Sequence, residues 1–344
     1  MNGSETEPVM DLYDYDYNST CEESSLIDIS YRPTVFLVIC FMLFCFSLLG
    51  NTTVLWVLLR HMKLKSMTDM CLLNLALSDL MLAGSLPFWA YNFPNLALCK
   101  LIRGVYQMGF YSGTLFVTLM SVDRYLAIVH AVAAMQARTL RYGITASITI
   151  WIISVIVATP HIIFASLEID LDDNSSQCQP LYPEETQQIW KMLQNFSENT
   201  VGLFVCLPIM IFCYLKILIV LSKTRNSKKD RAVKLIFSIV FVFVICWVPY
   251  NITVFFQTLQ LLGVLNTCKA SNNINSTMRF AEIIALFHCC INPVIYAFVG
   301  EKFRKSLRNV IARCLCWDLK SRLTFNPRDT TEKETSNTPV KSDY

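Results

Sequence analysis

Charge is what this sequence lacks most. Only 16% of its 344 residues are Asp, Glu, Lys or Arg, against about 25% in soluble proteins. Glycine (10) and histidine (4) are scarce as well. So few glycines exclude a collagen-like or low-complexity architecture. His61, His130, His161 and His288 are scattered along the chain and suggest neither a catalytic constellation nor a metal site. A net charge of +3 is too small to point to nucleic acid. In their place stand apolar residues, 54% of the chain, with a mean hydropathy of +0.43. They are gathered into long blocks, which excludes the two or three soluble domains that length alone suggests.

A helix crosses about 30 Å of hydrocarbon with about 20 mostly apolar residues. Seven stretches qualify: 35–59, 70–93, 101–129, 144–165, 201–221, 232–259 and 278–299. Their length and uniformity do not match barrel strands, which alternate over about 10 residues. The expected fold is an all-α membrane protein, a seven-transmembrane helix bundle (34–299). An N-terminal segment (1–33), an amphipathic stretch with nearby cysteines (300–316) and a polar tail (317–344) complete it.

Basic residues collect in alternate gaps, at Arg60, Lys63 and Lys65, at Arg138 and Arg141, from Lys223 to Lys234, and from Lys302 to Arg313. The positive-inside rule makes that side cytoplasmic and predicts an extracellular N-terminus in the plasma membrane. Residues 1–32 are acidic and polar, so no cleavable signal is expected there and the first span serves as the insertion signal.

On the outer side, Glu5, Glu7, Asp11, Asp14, Asp16, Glu22, Glu23 and Asp28 oppose a single Arg32. Tyr13, Tyr15 and Tyr17 alternate with these acids and are candidates for sulfation. The loop after the fourth span is acidic too, from Glu168 to Glu185. Two acidic elements on one face suit a basic soluble partner drawn in by long-range attraction. Sequons at Asn2, Asn18, Asn174, Asn195 and Asn275 map outside and are candidate glycosylation sites; those at Asn51 and Asn251 lie within spans. The four outer cysteines, Cys21, Cys99, Cys178 and Cys268, allow three pairings. Cys314 and Cys316 follow the basic stretch Glu301–Arg313, which reads as a helix lying on membrane lipids, and their position suits palmitoylation.

A charge inside a span is costly and by default functional. Asp79 is such a charge. It is expected to share a polar pocket with Asn51, Ser121 and the Asn292-Pro293 pair, and a sodium ion near Asp79 is the one non-protein group anticipated. Glu282, toward the outer end of the last span, is grouped with Trp89, Tyr106 and Tyr250 as an aromatic pocket with one carboxylate, suited to a cationic ligand segment. Pro87, Pro160, Pro208, Pro249 and Pro293 each remove a backbone donor and favour a kink.

Three motifs fall in order at matching depths: Asp123-Arg124-Tyr125, Cys246-Trp247-Val248-Pro249 and Asn292-Pro293-Val294-Ile295-Tyr296. Together they resemble the rhodopsin-like G-protein-coupled receptors. Leu86-Pro87-Phe88-Trp89, the run Ser121–Val132, His288-Cys289-Cys290 and Gly300–Lys305 narrow the likeness to chemokine receptors of the CC type. Ser85 and Cys40 depart from that pattern, which usually has threonine and tyrosine there.

The resemblance implies disulfides Cys99–Cys178 and Cys21–Cys268. It implies a chemokine held outside and an inhibitory-type G protein engaged inside, driving chemotaxis and calcium signalling, with arrestin and receptor kinases acting on the threonine-rich tail. The switch residues it implies are Asp123, Arg124, Tyr125, Tyr214, Trp247, Pro249, Asn292, Pro293 and Tyr296. The rivals are an atypical scavenging receptor, an XC-type receptor and a transporter; an enzyme is not expected.

Overall fold

A computed structural model describes residues 33–62, 64, 66–90, 95–130, 139–170, 175–223, 227–265, 267–299, 303–309 and 312. Seven helices in it are long and apolar enough to cross a membrane. In chain order the elements are α1 (Pro33–Arg60), α2 (Met67–Ser85), a 3-10 turn (Leu86–Ala90), α3 (Leu96–Val129), α4 (Leu140–Ile163) and the antiparallel hairpin β1 (Ala165–Asp170) and β2 (Ser175–Pro180). The fifth crossing is assembled from α5 (Gln187–Asn199), a π-helical stretch (Thr200–Cys206) and α6 (Leu207–Lys223). Then come α7 (Ser227–Leu261) and α8 (Cys268–Val299). Residues 303–309 form a further short helix, in which Phe303 packs on Tyr296 and Arg304 donates to the Phe298 carbonyl.

The polarity of this fold is inverted relative to a soluble one. Asn51, Ser78, Asp79, Ser112, Ser121, Asp123, Asn251, His288 and Asn292 are buried, while Leu49 (71% exposed), Ile156 (64%) and Phe298 (74%) face outward. An apolar belt of this extent would drive aggregation in water. In hydrocarbon it is the solvent-facing surface. α2 and α3 are the most buried crossings, with over half of the most apolar window of each buried, against 28% for α1 and α4.

Helix ends follow local chemistry. Ser66 and Asp69 form a reciprocal capping box at the start of α2, and Asn95 Oδ1 accepts from the Leu98 amide at the start of α3. α2 stops at Ser85 because Pro87 cannot donate. The chain tightens into 3-10 turns there, and the Ser85 hydroxyl donates to the Leu82 carbonyl at 2.6 Å.

Several helices extend beyond the apolar blocks that announce them. α8 begins at Cys268 rather than near 278, α3 at Leu96 rather than 101, and the fifth crossing some turns before Val201. Hydropathy registers only the hydrocarbon-spanning part of a helix, whereas backbone hydrogen bonds continue past it through polar residues such as Asn272 and Asn273. The fourth crossing ends at Ile163, and Ala165 already belongs to β1.

Pro293 draws α1 and α8 into close contact. Lacking an N–H, it leaves the carbonyl of Cys289, four residues earlier, without its helical donor. Asn51 Nδ2 supplies one at 2.9 Å, and Ser47 Oγ lies 3.4 Å from the same oxygen. α1 can approach this closely because Gly50 faces the proline ring; a Cβ there would stand 2.9 Å from Pro293 Cγ. Asn51 is therefore spent on this carbonyl rather than on Asp79, which corrects the pocket anticipated from sequence. α2 is joined to α4 in the same manner, through Asn74, which donates to Ser147 Oγ at 3.1 Å and accepts from Trp151 Nε1 at 2.9 Å.

α3 packs on α2 through Gly109, where a Cβ would meet the Ser78 carbonyl oxygen at 2.9 Å and the Leu82 nitrogen at 3.0 Å. Both are backbone atoms that cannot rotate away. Gly109→Ala is expected to destabilise the protein by about 1–3 kcal/mol, whereas Gly84→Ala, with open space around the added carbon, should be neutral or slightly stabilising. Thermal melting of the two purified variants in detergent compares them directly.

Candidate functional site

One end of the bundle holds a cavity of about 300 Å³, at the small end of the range for ligand sites. Helical periodicity explains its lining. Arg103, Tyr106 and Gln107 share one face of α3; Tyr250, Val254 and Gln257 one face of α7; Met278, Glu282 and Leu286 one face of α8; Gln194 and Glu198 one face of α5. Cys40, Leu86 and His161 close the wall from α1, the 3-10 turn and α4.

Three of the residues singled out in the sequence, Glu282, Tyr106 and Tyr250, thus meet in this cavity. Trp89 lies in the 3-10 turn beside it, with its side chain outside the described residues, as are Tyr13, Tyr15 and Tyr17. The hairpin covers the same end. Cys99 at the head of α3 is bonded to Cys178 of β2, with 5.6 Å between Cα atoms, and Arg103 donates to the Cys178 carbonyl at 3.0 Å. Cys268 is also disulfide-bonded; Cys21, its expected partner, lies outside the described residues.

The cavity holds a second carboxylate, which corrects the expectation of one. Glu198 is buried and accepts from Tyr250 Oη at 2.9 Å and from Gln107 Nε2 at 3.2 Å, with His161 Nε2 4.0 Å away. Tyr111 Oη extends this network to Ser197 Oγ at 3.0 Å. Four crossings converge on one acid. Sequence reading missed it because Glu198 precedes the apolar block at Val201 and read as part of a loop. Its signal was an acidic residue one turn from an apolar run.

Below the cavity stands a column of rings. Phe110 lies 4.7 Å from Trp247 and 6.3 Å from Tyr250, and Trp247 meets His288 at 5.1 Å. His288 Nε2 is 3.1 Å from Asp79 Oδ1, and Asn292 Nδ2 donates to Oδ2 at 2.8 Å. Neither Asn51 nor Ser121 hydrogen-bonds to Asp79; Ser121 Oγ donates to the Val117 carbonyl. At the far end of α3, Asp123 accepts from Thr68 Oγ1 at 2.6 Å and pairs with Arg124 at 3.2 Å, and Arg124 also reaches Thr68 Oγ1. Tyr125 Oη bonds His130 Nε2 at 2.9 Å, and Tyr214 and Tyr296 are buried nearer the bundle's interior.

Residues 50–296 match the family described as 7 transmembrane receptor (rhodopsin family). Among curated relatives, the CX3C chemokine receptor 1 of Rattus norvegicus is 40% identical over 90% of this chain and 87% of its own. The C-C chemokine receptor type 4 of Homo sapiens is 44% identical over 79% and 76%, and the human C-C chemokine receptor type 8 is 39% identical over 95% and 93%. The chain is a chemokine receptor of the rhodopsin family. It is not an enzyme.

Membership gives the receptor's polar interior a frame, and the sequons can be placed within it. The Asn195 sequon lies on helix α5 and lines the cavity, with its Ser197 hydroxyl engaged by Tyr111 and the Gln194 carbonyl. Asn195 itself is half-exposed at that end of the bundle. Asn275 is exposed on α8, whereas Asn2, Asn18, Asn174, Cys314 and Cys316 lie outside the described residues. Asn51 and Asn251 are buried.

Removing the Glu198 carboxylate strands two buried donors at once. Glu198→Ala is expected to cost the ligand-free receptor about 1–3 kcal/mol, visible as a lower melting temperature. Glu198→Gln, which keeps one acceptor oxygen, should lose distinctly less.

Proposed function

We propose that this receptor binds a basic chemokine at its cavity end and answers by activating an inhibitory-type G protein at the Arg124 end. The observation that carries the reading is the pairing of an acid-lined cavity with a buried polar column running from it toward the Arg124 end. The orientation inferred from the basic gaps makes the cavity end extracellular. There the acidic N-terminus and hairpin would attract the basic body of the ligand, and its flexible N-terminus would enter between Glu198 and Glu282. An ammonium group among tyrosines and carboxylates gains both ionic and cation–π attraction.

Binding produces a signal only if it favours one bundle arrangement over another. Tyr250 is placed to report entry, since its hydroxyl holds Glu198 and its ring leans on Trp247. Displacement of Trp247 would be absorbed at Pro249, where the helix is already one hydrogen bond short. Outward movement of α7 at the other end would open space beside Arg124. Arg124, leaving Asp123 and Thr68, would then be free to meet Tyr214, Tyr296 and the C-terminal helix of the G-protein α subunit. Asn292 and Pro293 would relay the motion along α8. Receptor kinases and arrestin would act on the tail and lipid on the basic stretch, with chemotaxis and calcium release as the cellular outcome. A scavenging role without signalling is disfavoured by the intact Asp123-Arg124-Tyr125.

A panel of chemokines applied to cells expressing the receptor, read as inhibition of cAMP formation, tests this. At least one should inhibit. Arg124→Ala should abolish the response while leaving surface binding intact. Glu282→Gln should weaken potency by about tenfold, equivalent to about 1.4 kcal/mol of lost interaction. Binding and internalisation with no G-protein response to any chemokine would sink the signalling reading.

A further inference from the structure

Asp79 is where the sequence suggests a sodium ion, and the atoms around it decide whether one fits. A hard cation is held by several oxygen atoms that turn lone pairs toward it. Around Asp79 the protein turns nitrogen donors inward instead. Asn292 Nδ2 donates to Oδ2 at 2.8 Å, and His288 Nε2 lies 3.1 Å from Oδ1. The oxygens nearby in sequence logic are engaged elsewhere: Ser121 Oγ donates to the Val117 carbonyl, and Ser47 and Asn51 serve the Cys289 carbonyl. Asn51 Oδ1 and Asp79 Oδ1 itself accept no hydrogen bond, and one neutral oxygen beside one carboxylate is no cage.

The hydrogen bonds of the imidazole define where its protons lie. His288 Nδ1 is 2.8 Å from the Ala285 carbonyl oxygen. A carbonyl only accepts, so Nδ1 carries a hydrogen. That bond fixes the ring in place, and its Nε2 edge stands 3.1 Å from Asp79 Oδ1, filling the space beside the acid.

We propose that the His288 imidazole takes the place a sodium ion would occupy beside Asp79, and that the receptor's stability is insensitive to sodium. A ring fixed in α8 also does what a free ion cannot. It touches Trp247 at 5.1 Å and Phe243 at 6.4 Å between centroids, so a shift of Trp247 under the cavity reaches Asp79 through one rigid group. The inference depends on this geometry alone and stands or falls separately from the ligand and G-protein reading.

The test uses the purified full-length receptor in detergent, melted without ligand in sodium chloride and in choline chloride of equal ionic strength. A cation that binds only the folded state raises stability in a concentration-dependent way. The wild type is expected to melt at the same temperature in both salts. His288→Asn, which substitutes an amide oxygen for the imidazole, should melt lower than wild type in choline and recover part of the loss as sodium is titrated in. A sodium-dependent rise in the wild type that disappears in Asp79→Asn overturns the proposal. A rise that survives Asp79→Asn lies elsewhere and leaves the site closed as proposed. A folded His288→Asn that gains nothing from sodium overturns the assignment of His288 as the group that excludes it. Should that variant fail to fold, His288→Gln replaces it, and the wild-type titration decides by itself if both fail.

Discussion

A bilayer offers the chain no hydrogen bonds, so each polar group placed within it must be answered by another part of the same chain. Pro293 is the sharpest instance. The ring removes a donor from α8, and the orphaned Cys289 carbonyl is met by Asn51 and Ser47 of α1. That need brings the two helices close enough that only glycine fits at position 50. The same constraint pairs Asn74 with Ser147 and Trp151, and Asp79 with His288 and Asn292. Helix association in lipid lacks the hydrophobic drive that operates in water. Small residues at contacts and satisfied polar groups across them are what define this bundle.

These obligations also make the interior a connected path. Glu198 binds Tyr250, Tyr250 leans on Trp247, Trp247 meets His288, and His288 sits against Asp79, itself bonded to Asn292. Each contact is ordinary in strength. Because a buried partner left alone costs more than the bond gains, moving one member obliges its neighbours to find new partners. A polar column in an apolar bundle therefore has a few discrete arrangements rather than a continuum, which is what a switch between two states requires. The proline-weakened sites in α7 and α8 lie along this column, where bending is least costly.

Much of this was readable from one dimension. The seven crossings, the outward apolar belt and the buried Asp79 follow from composition within windows of about 20 residues, because transfer into hydrocarbon is summed residue by residue. The cavity residues Glu282, Tyr106 and Tyr250 could be grouped by depth along their spans. Glu198 could not, since its helix runs well beyond the apolar block that marks the fifth crossing. Asn51 was assigned to the wrong partner for a related reason. Depth places it near Asp79, but which neighbour it bonds depends on a carbonyl freed by a proline in another helix.

Seven membrane crossings, with acids gathered toward one end and bases toward the other, can be read directly along the chain. Those properties are local or additive. That His288 lies against Asp79, that Asn51 serves Cys289 and that Glu198 lines the cavity emerges only once the helices are packed together. The partners in the first two pairs stand more than 200 residues apart in the chain, and their contacts depend on helix rotations and approaches of a few ångströms. Such distances are fixed by how side chains on several helices pack together, and no window along the sequence contains them.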